Sequence, residues 1–221
     1  MPLIANKIKI SDGILLTWKL EESEAQLESM LPPGIDRSEY SGIGHPLKRR
    51  EWLAGRCLFA ALCEQAGFPF QGIWKSPDGK PYLLGSTAHI SLSHTEHLIA
   101  AALDLHAPIG IDLETPRPQL LRIAHKFLSP EELSAAGADQ NLLCKYWTAK
   151  EAIYKLVGEK QISFREHIRV YPSKADLSWT GRVSAPAAKR EATTELHRVL
   201  DYYLAIARDV ERPTAPLPWE K

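Results

Sequence analysis

Two stretches of helical period most constrain what this chain can fold into: HPLKRREWLAGRCLFAALCEQAG at residues 45–67 and NLLCKYWTAKEAIYKLVG at residues 141–158. Each is bracketed by runs of strand character. KIKI and ILLTWKL flank Ser11-Asp12-Gly13 as a hairpin before the first helix, and AHISLS and HLIAAALDL follow it. A turn at His106-Ala107-Pro108 leads into the strand IGIDLE. Beyond the second helix come HIRVYP, LSWTGRVS and LHRVLDYYLAIAR, all of strand character, the last long enough to be a bent strand or not a strand at all. The order sheet, helix, sheet therefore occurs twice. It predicts an α+β protein of two similar halves, 1–105 and 106–221, each a small, mostly antiparallel sheet on a long helix.

Local signals set the ends of these elements. Pro46 suits the first turn of the first long helix and Gly67 its C-terminal stop, and Gly158 closes the second. EESEAQLESM has Ser23 and Gln26 in capping-box spacing and ends at Pro32-Pro33. FLSPEELSAAG repeats the device with Ser129 as N-cap, Pro130 at the first helical position and Glu132 completing the box. WKSPDGKPYL reads as a glycine-containing loop and RPTAPLPWEK as an extended tail.

Composition narrows the function classes. Lys plus Arg equals Asp plus Glu at 27 each, so no global field argues for nucleic acid or an anionic membrane. No apolar run has the length of a bilayer span, and MPLIANKIKI is not a signal peptide. Cys57, Cys63 and Cys144 are odd in number and lack metal spacing, as expected of buried thiols in a cytoplasmic protein.

Chemistry concentrates in two segments. Along a strand IGIDLE, Ile109, Ile111 and Leu113 face one side, while Gly110, Asp112 and Glu114 face the other. Two carboxylates so placed repel unless a cation lies between them. Along the second long helix Trp147, Glu151 and Lys155 share one side. Taken alone, Glu151 and Lys155 are an ordinary surface ion pair, and Trp147 is a core residue. Together with Asp112 and Glu114, Glu151 completes an oxygen set that suits Mg²⁺ rather than zinc. Magnesium held in this way serves a phosphate, which needs cations around it. Arg49, Arg50 and Arg56 on the first helix, Lys75 and Lys80 in WKSPDGKPYL, and Ser93 and His94 in ISLSHTEH are the candidates. His89, His97 and His125 read as structural.

IGIDLE, followed about thirty-five residues later by WTAKEAIYK, resembles the two-part signature of the 4'-phosphopantetheinyl transferases, (I/V)G(I/V)D then (F/W)(S/T/C)xKE(A/S)xxK. GKPYL, SLSHTEH and KRREWLAGR are similar to accessory motifs of its larger, surfactin-synthetase-activating class. That class is monomeric, with two pseudo-symmetric α+β halves, and this chain is too long for the smaller trimeric class.

The resemblance implies a transferase of the holo-[acyl-carrier-protein] synthase type, moving phosphopantetheine from coenzyme A to a serine of an apo acyl carrier protein or peptidyl carrier domain. It implies Mg²⁺ on Asp112, Glu114 and Glu151, with Lys155 on the phosphate. His94, Lys75 and Arg56 would hold the nucleotide end with its 3'-phosphate, Arg49 or Arg50 would be a further contact, and Lys80 and Ser93 would lie in the same coenzyme A site. Glu151 would be the base, directly or through water. A magnesium-dependent phosphohydrolase and a non-catalytic coenzyme A or carrier-protein binder remain alternatives. The carrier's pathway (fatty acid, polyketide or nonribosomal peptide) stays open.

Overall fold

The computed structural model describes residues 4–10, 13–173, 178–185 and 188–210. These divide into two units, one ending at His106 and the other beginning at Ala107. The tail RPTAPLPWEK lies outside the described residues. The protein is α+β, with antiparallel sheets and one long helix in each unit.

In the first unit β1 (Ile4–Ile10) and β2 (Gly13–Lys19) pair as the expected hairpin. Next come α1 (Glu24–Met30), the short α2 (Ser38–Ser41) and α3 (Pro46–Gln65). Ser23 and Gln26 form the capping box of α1. Gly67, with φ +87°, supplies the left-handed residue just beyond α3. WKSPDGKPYL, expected as a loop, instead lies in a small hairpin of β3 (Ile73–Lys75) and β4 (Pro81–Leu83). Lys75 pairs with Pro81, and Ser76-Pro77-Asp78-Gly79 makes the turn, so these loop-type residues are the bend between two strands too short to show a period. With β5 (His89–His94) and β6 (Leu98–Asp104) the sheet runs β1-β2-β6-β5. Helix α3 packs on β6, β2 and α1, burying Leu53, Leu58, Phe59 and Leu62 completely.

In the second unit β7 (Ile109–Glu114) is followed by α4 (Gln119–Phe127), α5 (Pro130–Ala136), α6 (Gln140–Val157) and the short α7 (Phe164–His167). The capping box of α5 stands as the sequence indicates, and Gly158 ends α6 in the left-handed region at φ 75°. Strands β8 (Ile168–Pro172), β9 (Ser178–Ala185), β10 (Ala188–Val199) and β11 (Tyr202–Asp209) complete a sheet ordered β7-β11-β10-β9-β8. LHRVLDYYLAIAR is thus two strands, not one. Leu200, at φ 54°, and Asp201 turn the chain back on itself.

Helix α6 lies on β7, β11, β10 and β8. The approach is close because small residues meet there: Gly110 on β7, Ala205 and Ala207 opposite on β11, and Ala149 and Ala152 on the helix. A Cβ on Gly110 would stand 2.0 Å from the Ala152 carbonyl oxygen, so only glycine fits. Along β7 Ile109 to Leu113 are all buried, and helix backbone covers the glycine side.

Candidate functional site

That close approach puts the helix side chains next to the strand carboxylates. Lys155 Nζ donates to Asp112 Oδ1 at 2.8 Å. Asp112 is only 7% exposed, so this ion pair is far less screened than a surface one. The partner of Lys155 across from the helix is thus Asp112. Glu114 accepts from the Thr115 backbone N–H at 2.9 Å and from Arg117 Nη2 at 2.7 Å. Glu151, one turn before Lys155, is pushed up to about 7 by burial and by the charge of Asp112, with Glu114 adding to the rise and Lys155 opposing it. Burial, and to a lesser degree Asp112, also lifts Glu114, against the Thr115 N–H and the cations Arg117 and Lys155.

Asp112, Glu114 and Glu151 therefore feel one another's charge in a half-buried setting. Among the described residues no three His, Cys, Asp or Glu side chains converge closely enough to hold a metal ion as they stand. Asp112 and Glu114 are turned to Lys155 and Arg117. The donor chemistry nevertheless suits a hard divalent cation: Glu114 and Glu151 are raised first by burial and further by neighbouring carboxylates, and a nearby cation would offset that.

Trp147 is a packing residue, meeting Phe127 edge-on at 5.0 Å and Phe164 at 5.7 Å. Between it and Glu151 lies Lys150, which the sequence reading passed over. Lys150 is fully buried, and its ammonium donates to Glu132 at 2.6 Å and to the carbonyls of Phe127, Phe164 and Ile168 at 2.8, 3.0 and 2.8 Å. Glu132 in turn accepts from the backbone N–H groups of Ser129 and Val170. This web ties α6 to the ends of α4, α5, α7 and β8, and so sets the helix that carries Glu151. A signal was present: Leu143, Tyr146, Lys150, Ile153 and Val157 form one apolar stripe, and a lysine inside it demands a buried anion.

In the first unit Arg56 and Lys75 converge on one carboxylate. Glu39 on α2 accepts from Arg56 Nη2 at 2.9 Å, from Trp52 Nε1 at 2.8 Å and from Lys75. The Arg56 guanidinium lies over the Trp52 ring, 3.3 Å from its centre, and burial pulls its pKa down to about 10 against the opposing charges of Glu39 and Asp36. His94 Nδ1 is 3.4 Å from Glu51, which also binds Lys48 at 2.7 Å.

The other candidates go elsewhere. Arg49 binds Glu24 at 2.7 Å and covers the Tyr40 ring, and Arg50 donates to the carbonyls of Leu20 and Glu22. Lys80 sits at the turn of the β3–β4 hairpin, where burial and its charge lower the pKa of His89. Ser93 is buried on β5. Glu39 and Glu51 had no sequence signal, because nothing in their spacing links them to Arg56, Lys75 or His94. Cys57, Cys63 and Cys144 are free and buried, and burial raises them to about 11, 12 and 12, so none is a thiolate at neutral pH.

Comparison with known proteins gives a match within the second unit. The model of the 4'-phosphopantetheinyl transferase superfamily matches residues 108–207, which hold β7, α6 and β11. That match covers somewhat less than half of the chain, and the relatives similar to it are 4'-phosphopantetheinyl transferases by name. The chain is 28% identical over 183 residues, 72% of its length, to 4'-phosphopantetheinyl transferase HetI of a Nostoc species, covering 74% of that protein. It is 38% identical over 87 residues to a 4'-phosphopantetheinyl transferase of Bacillus subtilis and 34% identical over 113 residues to one of Bacillus pumilus. Those two matches cover 37% and 48% of this chain, and only 38% and 46% of the relatives' own lengths.

Proposed function

We propose that this protein transfers the 4'-phosphopantetheine group of coenzyme A to a serine hydroxyl of an apo acyl carrier protein or peptidyl carrier domain, releasing 3',5'-ADP. The observation that carries the reading is the seating of α6 on Gly110, which sets Lys155 against Asp112 and Glu151 within the field of both strand carboxylates. The printed names of the relatives, all 4'-phosphopantetheinyl transferases, support the same reaction.

The serine oxygen attacks the β-phosphorus of coenzyme A, a new P–O bond forms, and the bond to the 3',5'-ADP oxygen breaks. Glu151, with a pKa near 7, is suited to take the serine proton, directly or through water. Lys155 offsets charge on the phosphate oxygens, for which it must exchange its bond to Asp112. Asp112, Glu114 and Glu151 are the residues that would hold Mg²⁺, whose contribution when bound is Lewis-acid neutralisation of the pyrophosphate. Arg56, Lys75 and His94 are assigned to the nucleotide end, with Arg56 and Lys75 on the 3'-phosphate. Ser93, Lys80 and Arg49 belong to the same assignment, for which Arg49 must exchange its bond to Glu24. We assign the protein to the cytoplasm as a monomer, a compartment its three free buried thiols suit. Among the described residues no helix is long and apolar enough to cross a membrane.

Incubation with coenzyme A, Mg²⁺ and an apo carrier tests the proposal. The expected outcome is a gain of roughly 340 Da on the carrier, the mass of the transferred group. Consumption of coenzyme A with an unmodified carrier would instead make the protein a hydrolase. Binding without turnover would make it a carrier or coenzyme A binder.

A further inference from the structure

The Glu39 carboxylate sits where three donors from two elements already point inward. Trp52 and Arg56, four residues apart on α3, address one of its oxygens at 2.8 and 2.9 Å, and Lys75 at the end of β3 addresses the other. Two of the three donors, Trp52 and Arg56, are fixed, while Lys75 is half exposed. Arg56 is 8% exposed, stacked on Trp52, and ties a second nitrogen to the Trp52 carbonyl at 3.4 Å. The Trp52 ring is itself buried against Tyr40, 5.2 Å away between ring centres. The acceptor is the movable piece. The Glu39 side chain is 47% exposed and stands on a helix of four residues, with Gly42 and Gly44 just beyond. Two full positive charges and an indole N–H held on one carboxylate match what a phosphate monoester dianion needs: more than one charge and several oxygen acceptors for fixed donors.

We infer that Glu39 is a resident stand-in for the 3'-phosphate of coenzyme A, holding the Arg56, Lys75 and Trp52 donors until the nucleotide displaces it and returning to them when the nucleotide leaves. The inference rests on the assignment of Arg56 and Lys75 to the 3'-phosphate. Its consequence lies in affinity and in product release. The leaving product, 3',5'-ADP, keeps the 3'-phosphate, so a carboxylate that competes for the same donors weakens product and substrate by the same factor. A ligand without that phosphate leaves Glu39 in place and is indifferent to it. Glu39 therefore sets how tightly the enzyme holds the nucleotide end, and keeps spent nucleotide from lingering.

Calorimetric titration of the full chain and of Glu39→Gln with coenzyme A, 3',5'-ADP and 3'-dephospho-coenzyme A tests this. Glu39→Gln is expected to bind coenzyme A and 3',5'-ADP roughly three- to tenfold more tightly, with dephospho-coenzyme A changed by less than about twofold. Glu39→Ala, which removes the acceptor altogether, is expected to act in the same direction. Wild type that prefers coenzyme A over its dephospho form, with neither variant tightening, overturns the role of Glu39 while leaving the phosphate assignment intact. Wild type that binds both forms equally overturns the assignment and the inference together. Variants that melt well below wild type and weaken all three ligands make Glu39 a structural tie, which also overturns it.

Discussion

At the scale of single residues, Glu151 carries the sharpest consequence. Burial and Asp112 raise its pKa from 4.5 to about 7. A carboxylate raised on folding stabilises the native state below its unfolded pKa, and that contribution is lost as pH climbs from about 4.5 to about 7. In divalent-free buffer the melting temperature should fall across this window, and Glu151→Gln should flatten the fall. At pH 8 the variant should melt above wild type by roughly 2–4 °C. Equal slopes for the two proteins would remove Glu151 as the titrating group. Lys150 gives the opposite case, a charge the fold depends on. Lys150→Met leaves Glu132 buried without its cation, and urea unfolding should show a loss of roughly 3–5 kcal/mol. A loss under about 1 kcal/mol would mean that water enters to replace the ammonium.

At the scale of elements, the contact of α6 with β7 positions the chemistry, and it rests on a single missing Cβ. Gly110→Ala must push the helix away from the strand or bend the strand, since the obstacle is the Ala152 carbonyl and the Leu156 backbone rather than a movable side chain. We expect a cost of roughly 1–3 kcal/mol in thermal or chemical unfolding, with transfer falling further than stability because Lys155 is drawn off Asp112. Full activity in Gly110→Ala would show that the tight seating is not required.

Much of this level was legible beforehand, for stated reasons. Capping boxes at Ser23 and Ser129 and the stop at Gly158 are short-range chemistry, which sequence displays directly. The β3–β4 hairpin was not legible, because three-residue strands carry no period. The turn at Leu200-Asp201 was hidden because neither residue is a usual turn former, and a leucine at positive φ is uncommon. That a helix covers the Gly110 face of β7 was not legible, because alternation of Ile109, Ile111 and Leu113 looks the same whether the opposite face meets water or a helix.

At the scale of the molecule, the carboxylates and Lys155 of the second unit were found from the sequence because one strand and one helix hold them at fixed spacings. The partners of the cations in the first unit were not. Glu39 meets Arg56 and Lys75 across 17 and 36 residues, and Glu51 meets His94 from another element, which no local pattern encodes. A balanced charge of 27 against 27 likewise conceals local concentrations of both signs. The central claim is that Asp112, Glu151 and Lys155 form the reacting centre of a phosphopantetheinyl transferase. Its most direct test is the intact mass of an apo carrier incubated with coenzyme A, Mg²⁺ and either wild type or Glu151→Gln, with circular dichroism verifying that the variant is folded. The account predicts a carrier heavier by roughly 340 Da with wild type, and transfer slowed at least about a hundredfold by the variant. An unmodified carrier with wild type, or a folded variant of undiminished rate, would contradict it.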